Sequence, residues 1–170
     1  AAGNSKRQIW FLKNFQTTVT HIIPSYALLL SNLIKSEGLD SSRDLNLKIM
    51  LIGAEPHSEE TRHRIEELYQ AKAFNSYGLS EMNGPGVAFE CAYQTGLHVW
   101  EDAYFLEIVN PKTLEPCPAG ELGEMVLTTL CRQATPILRY RTKDLAYWID
   151  EPCPCGRTHY RISRIQGRTD

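Results

Sequence analysis

The 170-residue sequence predicts an α/β fold: a parallel sheet with flanking helices, followed by an antiparallel β-sheet or small barrel. Three observations lead there. Apolar runs rich in β-branched residues alternate with segments of helical periodicity as far as Gly78. Beyond Gly84, strand-like runs succeed one another with no helical segment between them. Turn-forming glycine, proline, asparagine and serine mark the junctions of both halves. This change of character divides the chain into an α/β part, residues 1–84, and a β-rich part, residues 85–170.

Taken in order, Ile9, Trp10, Leu12 and Phe15 recur at helical spacing, which predicts a helix from about Ser5. Thr17 to Ile23 is β-branched and stops at Pro24, as a strand would. SYALLLSNLIKSEG has helical spacing between a serine and a glycine, residue types that start and stop helices. LKIMLIG, Leu47 to Gly53, reads as a buried strand. SEETRHRIEELYQ reads as a helix with Ser58 as its N-cap and acids in its first turn. AFNSYG is a further short strand, with YGLSE in the loop after it. Strand–helix alternation of this kind places functional groups in loops at the carboxyl ends of the strands. In the second part, LHVWEDAYFLEIVN, GEMVLTTL, ILRYRTK and DLAYWID are strand-like, and NPKTLEPCPAGELG is a turn region. His21 reads as a core histidine, with Tyr26 a candidate for the border of an acyl pocket.

Composition narrows the function. With 18 Lys+Arg against 20 Asp+Glu, the chain lacks the basic excess of a nucleic-acid binder. The most apolar stretch, His21 to Leu30, contains a proline and is far shorter than the ~20 residues of a membrane span. No signal-peptide pattern opens the chain, so a cytoplasmic location is expected. The five cysteines then read better as thiols or metal ligands than as a disulfide framework.

Four motifs offer chemistry. Gly53-Ala54-Glu55-Pro56 follows a predicted strand, where small residues let a flat ligand approach the backbone and proline stiffens the turn. In YGLSE, the Tyr77 ring can stack on a base, Gly78 leaves room beside it, the Ser80 hydroxyl can donate to a phosphate oxygen, and the Glu81 carboxylate can hold magnesium. In RYRTKDL, Asp144 at a strand connection can accept both hydroxyls of a ribose. In GRTD, Arg168 offers a cation to the same region. Each motif taken alone also fits an ordinary turn.

In this order, GAEP, YGLSE, RYRTKDL and GRTD resemble the nucleotide-site motifs of the adenylate-forming acyl-CoA synthetases. HIIPSYAL, YGLSEMNGPGVAFEC, GLHVWED and GELGEMVLTTL resemble the phenylacetate-CoA ligase family within them, over nearly the whole chain. The resemblance implies that a carboxylate and ATP form an acyl-adenylate, from which coenzyme A displaces AMP to give a thioester, as in phenylacetate catabolism. It implies that the backbone around Ala54 to Pro56 and the Tyr77 ring hold adenine. It places Ser80, where threonine is commoner, near the α-phosphate. Glu81 becomes the magnesium ligand, Asp144 and Arg168 hold the ribose, and Asp170 is the hinge to a mobile carboxyl-terminal domain. The family's phosphate loop and adenylation lysine are not among these residues, so a middle portion of the enzyme, unable to catalyse the overall reaction unaided, is expected. The implied partners are an aryl carboxylate, ATP and coenzyme A, with the full-length enzyme open to homodimerisation. Two other functions fit the residues: an adenylyl transferase of the deazaflavin-modifying type, and a non-catalytic zinc-stabilised nucleotide-binding module.

The cysteines suggest a metal independently of those motifs. Cys153-Pro-Cys155-Gly places two thiols in a stiffened turn, tighter than the usual two-residue spacing. Cys91 and His98, or the nearer His159, complete a Cys₃His set for zinc. Cys117 and Cys131 lie in separate strand contexts.

Overall fold

A computed structural model describes residues 3–82 and 84–170; Asn83, in the YGLSEMNG loop, lies outside them. The chain forms two compact units, Ala1–Phe74 and Asn75–Asp170.

In the first unit, helix α1 (Ser5–Asn14) is capped by the Asn4 side chain, which accepts from the Arg7 backbone N–H. It buries Ile9 and Leu12, whereas Trp10 and Phe15 are exposed, their rings edge-on to one another. Strand β1 (Val19–Ile22) pairs in parallel with β2 (Ile49–Gly53), in register from Val19↔Ile49 to Ile22↔Ile52. Successive strand residues face opposite ways. With Ile22 turned into the core, His21 is therefore exposed, not the buried histidine expected from the apolar run. Helix α2 (Pro24–Ser36) starts one residue before the expected serine, because proline's fixed φ and missing N–H suit the first helical turn. Helix α3 (Glu59–Tyr69) starts as predicted, with Ser58 Oγ accepting from Thr61 N at 3.1 Å. Leu30, Ile34, Met50, Ile52 and Ile65 are fully buried in one cluster, and each such side chain contributes roughly 1.5–3 kcal/mol. The Tyr26 hydroxyl, 2.8 Å from Ser5 Oγ and donating to Gln8 Oε1, ties α2 to α1.

Strand β3 (Lys72–Leu79) leaves the first unit and enters the second. There follow β4 (Gly84–Glu90), β5 (Leu97–Val99), β6 (Tyr104–Val109), β7 (Gly123–Thr129), β8 (Tyr140–Ala146), β9 (Trp148–Ile149), β10 (Arg161–Ile162) and β11 (Gly167–Arg168). Antiparallel pairing gives the order β3-β4-β5-β10-β9 in one sheet and β11-β8-β7-β6 in another. Both are open, so of the two expected forms it is the sheet that is found. Tyr77 and Gly78 close the expected strand AFNSYG and lie inside β3, which runs on to Leu79 with a register shift after Tyr77, so that only Ser80 and Glu81 of YGLSE lie beyond it. One motif placement differs from expectation. Asp144 lies inside β8, because ILRYRTK and DLAYWID do not form separate strands there. Tyr140 to Ala146 is continuous, bent at Lys143 (φ 66°) beside a register shift against β7.

Candidate nucleotide and metal sites

The predicted Gly53–Pro56 turn belongs to the first unit. Ala54 is left-handed there (φ 68°), an uncommon conformation for a residue with a Cβ and one that concentrates at functional turns. Glu55 holds the turn in place: its Oε1 accepts from Ser25 N at 2.5 Å and its Oε2 from Ser25 Oγ at 3.0 Å. A carboxylate thereby caps the amino end of α2, where the helix dipole favours negative charge. Glu55 thus has a definite structural task, while Ala54 and Pro56 on either side of it are exposed.

In the second unit three predicted residues meet. Asp144 accepts from the Tyr77 hydroxyl on Oδ2 at 2.7 Å and from Arg168 Nη1 on Oδ1 at 3.0 Å. Arg168 is brought there because β11 pairs with β8 in the register Arg168↔Asp144. Burial first, and then the Asp144 charge, push the Tyr77 hydroxyl far above its ordinary pKa, so it acts as a donor. Arg168 Nε also donates to Asp170 Oδ1 at 2.9 Å, and Lys143 Nζ reaches Asp170 Oδ2 at 3.0 Å. Those two cations hold the Asp170 carboxyl down at about 2.

Ser80 and Glu81 follow β3 on a single 3₁₀ turn (Ser80–Met82), and both are exposed. Glu81 Oε1 accepts from the Tyr140 hydroxyl at 3.2 Å, and its backbone carbonyl accepts from Arg132 Nη1 at 2.6 Å. Among the described residues Oε2 has no protein partner, so an anchored carboxylate presents one uncommitted oxygen. That suits a hard divalent cation. Sequence reasoning missed Tyr140 and Arg132. Tyr140 stood in the quoted RYRTKDL stretch, but its connection to Glu81 is set by pairing over 59 residues of chain.

The predicted metal ligands also converge. One ligand atom each from Cys91, His98, Cys153 and Cys155 lie within 4.8 Å of one another. Cys91 Sγ is 3.6 Å from Cys153 Sγ, and Cys155 Sγ is 3.5 Å from His98 Nε2. Tetrahedral zinc with its usual bond lengths requires separations of ~3.8 Å between sulfurs and ~3.5 Å between sulfur and nitrogen. The donor set fits. His98 belongs to this cluster, while exposed His159 does not; Cys117 and Cys131 also lie outside it. Burial, then the charges of Arg157 and Arg161, lower the His98 pKa, so the ring is neutral as a ligand must be. Burial pushes the Cys91 thiol up. Burial acts the same way on Cys153, but hydrogen bonds from Cys155, Cys91 and Thr95 outweigh it and bring that thiol down to about 7.

Residues 2–131 match the family described as AMP-binding enzyme. The chain is 43% identical over 171 residues to a phenylacetate-coenzyme A ligase of Thermus thermophilus, and 40% identical over 172 residues to one of Escherichia coli. Both alignments cover the whole chain and 38% of the relative, so the chain spans well under half the length of these curated relatives. Among solved structures, an open conformation of 2-hydroxyisobutyryl-CoA ligase, in complex with 2-HIB-AMP and CoA, superposes with a TM-score of 0.90 at 30% identity. It matches 99% of this chain and 40% of its own. A long-chain-fatty-acid-CoA ligase from Archaeoglobus fulgidus shares the fold at a TM-score of 0.68 and 16% identity. Among the described residues no helix is long and apolar enough to cross a membrane.

Proposed function

Since the chain belongs to the AMP-binding enzyme family, we propose that it is the nucleotide-holding portion of an ATP-dependent acid–thiol ligase that converts an aryl acetate to its coenzyme A thioester. The observation that carries this reading is the Tyr77–Asp144–Arg168 constellation. Each Asp144 oxygen is fixed by one protein donor, yet each keeps acceptor capacity for the two hydroxyls of a ribose. Arg168 adds positive charge beside the sugar, and Tyr77, only 7% exposed within a core cluster, serves through its hydroxyl on Asp144 and not as the open base-stacking face read from the sequence.

In this reaction the substrate carboxylate attacks the α-phosphorus of ATP and pyrophosphate leaves; the thiol of coenzyme A then attacks the acyl carbon and AMP leaves. This chain supplies position and charge to that sequence, the usual protein contribution where attacking and leaving groups come from the substrates. Ser80 orients a phosphate oxygen, Asp144 fixes the sugar, and Glu81 holds a magnesium ion. Such an ion neutralises phosphate charge. Tyr140 keeps the Glu81 carboxylate in one orientation. Asp170, clamped by Arg168 and Lys143, is the candidate hinge.

Cys91, His98, Cys153 and Cys155 hold a structural zinc in the same proposal. Four protein ligands close the coordination sphere, so the ion serves folding and not turnover.

The deciding experiment is ATP-dependent thioester formation by the full-length enzyme with phenylacetate, indoleacetate and benzoate. Thioester from an aryl acetate supports the ligase. Transfer of the activated group to another acceptor points to an adenylyl transferase, and nucleotide binding without turnover points to a binding module.

A further inference from the structure

Arg161 is only 5% exposed, on β10 directly opposite His98 of β5. Its Nη1 donates to the Thr95 carbonyl and to Thr95 Oγ1, both at 2.7 Å, and its Nη2 donates to the Glu151 carbonyl. All three acceptors are neutral. Among the described residues no carboxylate stands at ion-pair distance from this guanidinium. Burying a cation without an anion costs several kcal/mol, so a compensating negative charge is to be expected nearby.

The metal site proposed above provides one. Three thiolates and a neutral imidazole around a divalent ion carry a net charge of about −1. We propose that Arg161 is the charge partner of this centre and acts on it through Thr95, a positioning residue for the Cys153 thiolate. Thr95 Oγ1 lies 3.9 Å from Cys153 Sγ. Since that oxygen accepts from Arg161, its own proton is left to point at the sulfur. The relay runs from guanidinium to hydroxyl to thiolate, each group donating to the next. A hydrogen bond to a metal thiolate draws off electron density, stabilises the ligand against protonation, and fixes its orientation; loss of outer groups of this kind typically costs ~10–100-fold in metal affinity.

The inference rests on the zinc reading, and the experiment separates the two. Zinc affinity and release to a colorimetric chelator are measured on the full-length protein and on T95V, R161K and R161M, followed by the absorption spectrum of each after cobalt substitution. Wild type should retain about one zinc per chain. R161M should bind zinc ~10–100-fold more weakly, with R161K between it and wild type because it keeps the charge without the fork. T95V, at an exposed position, should release zinc faster and shift the sulfur-to-cobalt band to lower energy, as a thiolate that loses a donor gives up its electrons more easily. A clip that merely joins the Thr95 and Glu151 segments would not move that band. Should R161M not fold, T95V decides. Wild-type affinity and an unshifted band in T95V overturn the assignment while leaving zinc in place. Metal-free wild type overturns the zinc reading and this inference with it.

Discussion

The Tyr77 hydroxyl donates to Asp144 Oδ2 at 2.7 Å, joining β3 to β8 across 67 residues of sequence. In the proposed nucleotide site the tyrosine and the aspartate are thus one unit and not two separate groups. Tyr77→Phe keeps the ring and removes only the donor. A hydrogen bond to a charged group is worth ~1.5–3 kcal/mol, so even partial transfer of that loss to binding should raise the KM for ATP about tenfold in the full-length enzyme. Steady-state kinetics with varied ATP check this; an unchanged KM would separate Tyr77 from the proposed ribose site.

Glu81→Gln keeps the shape of the side chain and removes its charge. Adenylation should fall ~100-fold or more, and the magnesium concentration for half-maximal rate should rise, while thioester formation from pre-made acyl-adenylate changes little. Tyr140→Phe should move the magnesium requirement in the same direction by less. Pyrophosphate exchange and the isolated second half-reaction distinguish these effects, and equal damage to both halves would remove Glu81 from the adenylation step.

Much of this was legible in the sequence because it depends on local rules. Ser58 followed by acids announced α3, a β-branched run announced β1, and an apolar run ending in glycine announced β2. The spacing of CPCG, with the Cys91 and His98 pair about 60 residues earlier, announced the metal cluster but left two histidines in contention. That choice turns on β5, which buries His98 facing Cys155, whereas His159 stays exposed. Pairing over long separations was not legible. The bend at Lys143 that keeps Asp144 within β8 and the bond from Tyr140 to Glu81 both depend on which strands become neighbours. Glu55 illustrates the same limit. Read within GAEP it belongs to a ligand turn, yet its carboxylate caps a helix that begins 31 residues earlier, at Pro24.

Glu55→Ala should therefore disturb α2 before it disturbs ligand binding. Loss of a capping acceptor costs ~0.5–2 kcal/mol, and it should appear as ~3- to 30-fold faster hydrogen exchange at the Ser25 amide. Exchange unchanged at that amide would show that the carboxylate does not cap the helix in solution.

Asp170 gives a pH test. Its carboxyl is held at about 2, against an ordinary 3.8, by Arg168 and Lys143. A depressed carboxylate contributes its stabilisation above the unfolded value and loses it as pH falls through the folded one. The clamp on the candidate hinge should therefore be intact above pH ~4 and released towards pH ~2, with solvent screening keeping the effect on global stability small. Carbon-detected NMR titration of the Asp170 carboxyl should give a midpoint near 2 in the wild type, moving towards 3.8 in Lys143→Met. A wild-type midpoint already at the ordinary value would show that the two cations do not engage it.

Zinc makes the last prediction. Cys91 precedes β5, which carries His98, while Cys153 and Cys155 lie between β9 and β10, so one ion would cross-link segments about 60 residues apart. Its binding free energy then counts directly towards folding of the second unit. Purified full-length protein should contain about one zinc per chain, with X-ray absorption distances of ~2.3 Å to sulfur and ~2.0 Å to nitrogen. Cys153→Ser should lose the metal and lower the melting temperature, as should prolonged treatment with a strong chelator. Because β11 follows the metal-bound segment, the loss should also loosen Arg168 and weaken nucleotide binding indirectly, whereas His159→Ala should leave metal content, melting temperature and nucleotide affinity near wild type. Zinc lost in His159→Ala but kept in His98→Ala would reverse the ligand assignment, and a melting temperature indifferent to chelators in metal-free protein would remove the site.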